Sequence, residues 1–311
     1  MIITIFVSYY VVKNILIRRP IAVAGFDKFG IKEIYPSKTG GEEWFMNMQD
    51  PNNDPRTLKA PHMTQNADGS WKVAFNNNNN NNPQQIIPIQ ASGTCCQDEV
   101  RYGILTSSGY DENKIVIDQK ELEKRGYMQS PNDWKNIEMT GYVKLLATTG
   151  SSFAINKGGW TWEARGARHT GDVYPDVCYG MSYNANINWW DGAIRWGKEQ
   201  WHAHIVTTDY HPSPAISAGK FIGFKEIIYN MQLQDGKTIV RLESWVDPNS
   251  DNNWQKVYPF TDSGGWGDAG ERCGGAPDQI ITWGGPLAVF RWDEATDVDI
   301  KDFSVREIQP P

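Results

Sequence analysis

The 311-residue chain is poor in cysteine, has no surplus of basic charge and lacks a long apolar run. Its cysteines are Cys95, Cys96, Cys178 and Cys273, and no Cys-x-x-Cys pair occurs, which argues against a zinc ribbon or a thioredoxin-type redox site. Thirty Lys and Arg face 37 Asp and Glu, a net charge of −7. Without a basic surplus to meet phosphates, a general nucleic-acid binder is disfavoured. The most apolar stretch, Ile2 to Val12, falls short of the about 20 residues that cross a bilayer. P-loop, Gly-x-Ser-x-Gly and His-Glu-x-x-His motifs are all absent, as is any Asn-x-Ser/Thr sequon. The text is rich in Gly, Trp, Tyr and Asn rather than Ala, Leu, Glu and Lys, which argues against helical repeats. With 22% charged and 40% hydrophobic residues, a disordered chain and a polytopic membrane protein are also excluded.

The chain is long enough to bury about three quarters of its unfolded surface, so folding requires neither metal nor disulfide. The first residues read as a signal peptide or signal anchor over 1–24, with a small-x-small pattern at Ala22 and Ala24. The competing reading is an edge strand. An exporting N-terminus and an even cysteine count point to at least one disulfide, and a Cys178–Cys273 bridge would staple two distant loops. A secreted or cell-surface location follows, with no membrane contact beyond an N-terminal anchor. Residues 25–90 are rich in turn signals and end in a loop dominated by seven asparagines, Asn76 to Asn82. Residues 91–311 form the main domain.

That domain reads as strands. Runs such as Ile137 to Ala147, Trp160 to Arg168, Ile194 to Val206, Phe221 to Met231, Thr238 to Val246, Trp254 to Phe260 and Val298 to Ile308 recur with turns between them. Several alternate polar with apolar residues, the signature of an all-β antiparallel two-sheet sandwich or jelly roll. Gln119 to Gly126 is the one convincing helix. Eleven of 14 tryptophans lie beyond residue 135. Many belong to the core, but Trp160, Trp162, Trp189 and Trp190 stand where strands meet loops, and rings there can stack on sugars.

Three polar clusters fall on candidate strands. Glu163, Arg165, Arg168 and His169 form the first; Gln200, His202 and His204 alternate in the second; Lys225 and Tyr229 share a face in the third. If those strands are neighbours, one face displays Arg, Gln, His, Lys and Tyr together. Such a set suits β-elimination from a uronic acid. Arg and Gln neutralise the carboxylate while the α proton is removed, and His and Tyr serve as base and acid. No cofactor is required. A solvated sheet face decorated with the same residues is the alternative.

The residues carry a resemblance. Gln200-Trp201-His202 is similar to the Gln-Ile/Val-His strand motif of the alginate-lyase-like jelly rolls, and Phe224-Lys225-x-x-x-Tyr229-Asn230 resembles their Phe-Lys-Ala-Gly-x-Tyr-Asn motif. Glu163-Ala164-Arg165 resembles their Arg-rich motif loosely. The resemblance implies a concanavalin-like jelly roll and a polysaccharide lyase. Gln200 with Arg165 or Arg168 would hold the carboxylate, His202 and Tyr229 would move protons, and Lys225, His169 and the four tryptophans would line the substrate. Glu226-Ile227 stands where the family has Ala-Gly.

Other chemistries remain. Glu163, Glu199, Glu226 and Glu243 can pair as the acid and nucleophile of a glycosidase, although spacing does not choose among them. Asp293, Asp297, Asp299 and Asp302 near the last strand resemble the structural calcium sites of lectin-like jelly rolls. The expected partner is an acidic or neutral polysaccharide. A non-catalytic glycan-binding or adhesion module and a structural surface protein are the alternatives to the lyase.

Overall fold

The computed structural model describes residues 24–58, 62–74, 99–106, 110–111, 114–148, 158–167, 178–201, 204–214 and 216–311. The strands in chain order are β1 Glu43–Phe45, β2 Thr57–Leu58, β3 Thr64–Gln65, β4 Trp71–Ala74, β5 Glu99–Leu105, β6 Ile137–Thr148, β7 Gly159–Gly166, β8 Ser182–Asn188, β9 Ile194–Trp201, β10 His204–Thr207, β11 Ile222–Gln232, β12 Thr238–Asp247, β13 Gln255–Asp262, β14 Leu287–Asp293 and β15 Ala295–Glu307. They form two antiparallel sheets, as the alternation predicts. An eight-stranded sheet runs β13-β12-β11-β6-β15-β4-β3, with β1 added beside β15, and a seven-stranded sheet runs β10-β9-β8-β7-β14-β5-β2. Strands β1 to β4, from the turn-rich segment, pair into these two sheets. The asparagine run and residues 1–23 of the expected signal segment lie outside the described residues.

Alternation sets which side chains meet between the sheets. Ile137, Met139, Val143 and Leu145 of β6, Phe224 and Ile228 of β11 and Phe303 of β15 pack against Trp160 and Trp162 of β7, Trp196 of β9 and Phe290 of β14. Trp162 meets Phe290 edge-on at 4.7 Å, and Trp160 lies 4.5 Å from Phe224. Pairs of this kind add about 0.5–1.5 kcal/mol beyond the area they bury. Gly141 of β6 is required by the same packing, because a Cβ there would enter the ring of Phe303.

The helix α1, Gln119–Arg125, has the expected ends. Asp118 accepts the Lys120 and Glu121 N–H groups, and Gly126 closes the last turn at φ 85°. The expected Cys178–Cys273 disulfide is present, with Cα atoms 6.0 Å apart, and joins the approach to β8 to the turn at 270–273. No helix among the described residues is long and apolar enough to cross a membrane.

A strap crosses the outer face of the eight-stranded sheet. Ile31, Phe29, Ile34 and Tyr35 pack on Tyr142, Trp254, Ile227, Tyr229 and Trp245. The buried Glu138 carboxylate anchors it by accepting the Ile34 N–H (3.1 Å) and the Tyr35 N–H (3.4 Å), while Arg306 reaches Glu33 at 3.0 Å.

Candidate functional site

The expected catalytic set does not converge. Strands β7 and β9 belong to one sheet and β11 to the other, so Tyr229 and Lys225 are separated from Gln200 and Arg165 by the core. Lys225 is buried under the strap, bonded to Glu138 (2.6 Å) and Thr140 (2.8 Å). Tyr229 lies beside it, 3.5 Å from both Tyr35 and Glu243. Gln200 is fully buried and fastens the 268–277 turn, donating to the Pro277 carbonyl and accepting from the Asp268 and Ala269 N–H groups. Arg165 breaks the alternation of β7 at φ 66°, and its buried guanidinium donates to the Lys135 and Ile281 carbonyls, both at 2.7 Å. Burial lowers that guanidinium to about 10. These four side chains hold the fold together rather than face a ligand. Arg168, His169 and His202 lie outside the described residues.

The tryptophans divide. Trp160, Trp162 and Trp189 are core residues, Trp189 packing on Trp160 at 4.2 Å and donating its indole N–H to the Asp293 carbonyl. Only Trp190 of the four, 65% exposed at the β8–β9 turn, presents a ring to solvent.

The aspartates are also dispersed. Asp293 takes the Arg291 guanidinium at 2.9 Å, Asp297 pairs with Lys72 at 3.2 Å and Asp299 with Lys144 at 2.5 Å. Asp302 sits at an irregularity of β15, where burial pushes its carboxyl up. Among the described residues, no group of three or more His, Cys, Asp or Glu is placed to hold a metal ion.

What does come together is the outer face of the seven-stranded sheet. Strand β8 reads Ser-Tyr-Asn-Ala-Asn-Ile-Asn: Tyr183, Ala185 and Ile187 enter the core, so Ser182, Asn184, Asn186 and Asn188 share the opposite face. Its neighbours supply Thr161 and Glu163 from β7, Arg195 and Glu199 from β9, and Arg291 from β14. The groups are connected. Arg291 bonds Glu163 at 3.2 Å; the Ser182 hydroxyl lies 2.7 Å from Asn184 and 3.4 Å from Glu199; Asn186 donates to Thr161 at 2.7 Å. At the open end Tyr210 donates to Asn186 and carries Arg195 over its ring at 4.7 Å, close to the turn that bears Trp190. A small cavity of about 10 Å³, no larger than one water molecule, is enclosed by Glu163, Ser182 and Glu199 among Ala164, Gly166 and Gly180.

Beneath the same strands stands Glu226 of β11, on the core side and buried, with no charged partner and at most a weak contact from the Ala185 N–H. Burial first, and the charge of Glu163 second, push its carboxyl well above the ordinary range. Reading from sequence overlooked β8 because asparagine is a poor strand former. The period-two alternation of 182–188 was the signal that could have found it.

No known family model matches the chain, and no curated protein sequence does either. Solved structures with some likeness include a protein of unknown function with a galectin-like fold from Bacillus subtilis, 11% identical with a TM-score of 0.43, over 89% of this chain and 100% of that one. Basic winged bean lectin with Tn-antigen is 10% identical at a TM-score of 0.42, over 85% of this chain and 96% of the lectin. Alginate lyase Aly36B is 10% identical at 0.36, over 79% and 84% of the two chains. The fold assignment rests on the two sheets themselves.

Proposed function

We propose that this chain is an exported jelly-roll protein that engages polysaccharide along the outer face of its seven-stranded sheet. The observation that carries the reading is the accessible end of that face, where the exposed Trp190 and Tyr210 stand with Arg195 and Asn186, while Ser182, Asn184 and Asn188 are buried. The Asn186 amide and the Arg195 guanidinium can meet sugar hydroxyls, and Trp190 and Tyr210 offer rings to stack on sugar faces. The Cys178–Cys273 disulfide accords with an oxidising compartment, hence secretion or the cell surface. β-Elimination through Gln200, Arg165 and Tyr229 is not part of the proposal, because those side chains do not share a groove.

Affinity electrophoresis against neutral and acidic polysaccharides tests it. Retention by at least one polymer is expected, and Trp190→Ala should weaken it about tenfold, the equivalent of an aromatic contact worth somewhat over 1 kcal/mol. Unretarded migration in every polymer would remove the reading.

A further inference from the structure

A wider opening lies at the end of the sandwich away from Trp190. Phe224, early in β11, is 4.5 Å from Trp160, which packs on Trp189 beside Trp190. The turn that joins β11 to β12 stands at the other end of the strand, about 30 Å off at about 3.3 Å per residue. There a groove of about 440 Å³ opens between that turn, α1 and the 276–280 segment. Pockets for small molecules run to about 300–1,000 Å³.

One wall of the groove is fixed from below. The Pro277 carbonyl accepts from Gln200 at 2.6 Å, and those of Asp278 and Gln279 accept from Lys198 at 3.4 and 3.1 Å. The Ile281 carbonyl takes the Arg165 guanidinium at 2.7 Å, and the Thr282 carbonyl takes the Asn230 amide at 2.8 Å. Gln200, Lys198 and Arg165 are fully buried. Lys198 also pairs with Asp262, whereas Arg165 serves neutral oxygens alone among the described residues. Burying a guanidinium without a carboxylate is costly, and what it secures here is the shape of one surface segment. Groups carried on a backbone supported in this way keep their geometry.

The groups that line the groove are mostly acidic. Asp278 accepts the Gly265 N–H, and this bond, aided by the charges of Lys198 and Lys237, holds its carboxyl below the ordinary range. The exposed Glu123 of α1 meets only the Gln279 amide among the described residues, at a long 3.4 Å. Lys237, the cation of the lining, gives a hydrogen bond to the Ser263 carbonyl at 2.6 Å. Ala276 and Ile280 add an apolar patch. Gly264, at φ 91°, keeps space beside Asp278, since a Cβ there would stand 3.2 Å from the carboxylate.

We propose that this groove is a binding site for a small organic ammonium ion, a primary amine carried by an amino sugar or a polyamine, held by Asp278 and Glu123. It is separate from the polysaccharide face and does not rest on that reading. Two carboxylates against one ammonium leave the groove negative, which draws in a cation and repels a uronate. The ligand's N–H groups donate to the carboxylates in charge-assisted hydrogen bonds, and its carbon skeleton lies on Ala276 and Ile280.

The test adds glucosamine, spermidine, glucose, N-acetylglucosamine and glucuronate in turn to the full chain at low salt, following backbone amide and Trp indole signals by two-dimensional NMR. Glucosamine or spermidine should shift the amides of 236–238 and 278–280, and whichever binds tighter names the source of the amine. The other three, which carry no cation, should bind at least about tenfold more weakly. Asp278→Asn, which can still accept the Gly265 N–H, and Glu123→Gln should each weaken amine binding about tenfold, the order of one hydrogen bond to a charged group. Lys237→Gln should tighten it, because a like charge leaves the groove. Neutral sugars binding as tightly as glucosamine, Lys237→Gln weakening the amine, shifts confined to the Trp190 turn, or no shift from either amine would each overturn the proposal.

Discussion

The two outward faces of the sandwich carry similar residue types put to opposite uses. On the eight-stranded sheet, Glu138, Lys225 and Arg306 are buried and matched to one another, and Glu243 gathers Arg241 and Lys256. The 24–38 strap covers them and uses them as anchorage. On the seven-stranded sheet the charges are fewer and stand among Ser182, Asn184 and Asn186; most are buried too, and the face is accessible only toward the end that carries Trp190, Tyr210 and Arg195. Titratable residues in strand alternation therefore do not by themselves mark a site. Whether another segment has claimed the face decides, and for Lys225 and Tyr229 it has.

The comparison breaks most visibly at Glu138. Burial works to raise this carboxyl, but the adjacent Lys225 and Arg306 outweigh it and hold Glu138 below the ordinary carboxylate range. Its stabilisation is thus full at neutral pH and is lost as pH falls through that lowered value. Glu138→Ala leaves two cations buried and unpaired, an expected loss of about 3–5 kcal/mol. Guanidinium denaturation measures it, and limited proteolysis should show the strap cut first. A variant that loses under 1 kcal/mol and keeps the strap protected would mean that apolar packing alone holds it.

The second break concerns the partly matched side. Glu226 has its proton affinity raised in the fold above an ordinary value of 4.5. Between that value and the higher folded one the unfolded chain has released the proton and the folded chain has kept it, so stability falls as pH rises. Glu226→Gln has no proton to release, so it removes the dependence and should be more stable than wild type at pH 7–8, by about 1.4 kcal/mol for each pH unit over which wild type loses stability. The gap should close as pH drops below 5. Melting curves across pH check this, and a glutamine variant that is less stable at every pH would reveal a partner for the carboxyl.

Much of the architecture was legible because burial writes a period-two pattern. The strands around Ile137, Phe221, Thr238 and Val298 lie where alternation put them, and the helix at Gln119 has its Asp118 and Gly126 ends. The site was less legible for two physical reasons. Alternation says which residues share a face but not which sheet a strand joins, so Tyr229 and Gln200 looked like neighbours while the core lies between them. Local irregularity also overrides it. Arg165 at φ 66° leaves the face of Glu163, and its guanidinium serves the Lys135 and Ile281 carbonyls instead. The tryptophans misled through size: Trp160 and Trp162 are what fills a two-sheet core. Asn184 and Asn186 were passed over because asparagine usually signals turns.

The smallest expected effect is the sharpest discriminator between the faces. Tyr229→Phe removes a hydroxyl that lies 3.5 Å from Tyr35 and 3.5 Å from Glu243, long contacts both. Glu243 keeps Lys256, Arg241 and the Trp245 indole. The loss of stability should stay below about 1 kcal/mol, and polysaccharide retention should not change, because the hydroxyl lies under the strap on the other side of the core. Tyr210→Ala, made in parallel, should cost similarly little stability but weaken retention, since its half-exposed ring stands at the accessible end of the other face. The two variants measured together thus separate coverage from composition. Tyr229→Phe weakening retention with stability intact would move the ligand to the covered face and require the strap to leave it.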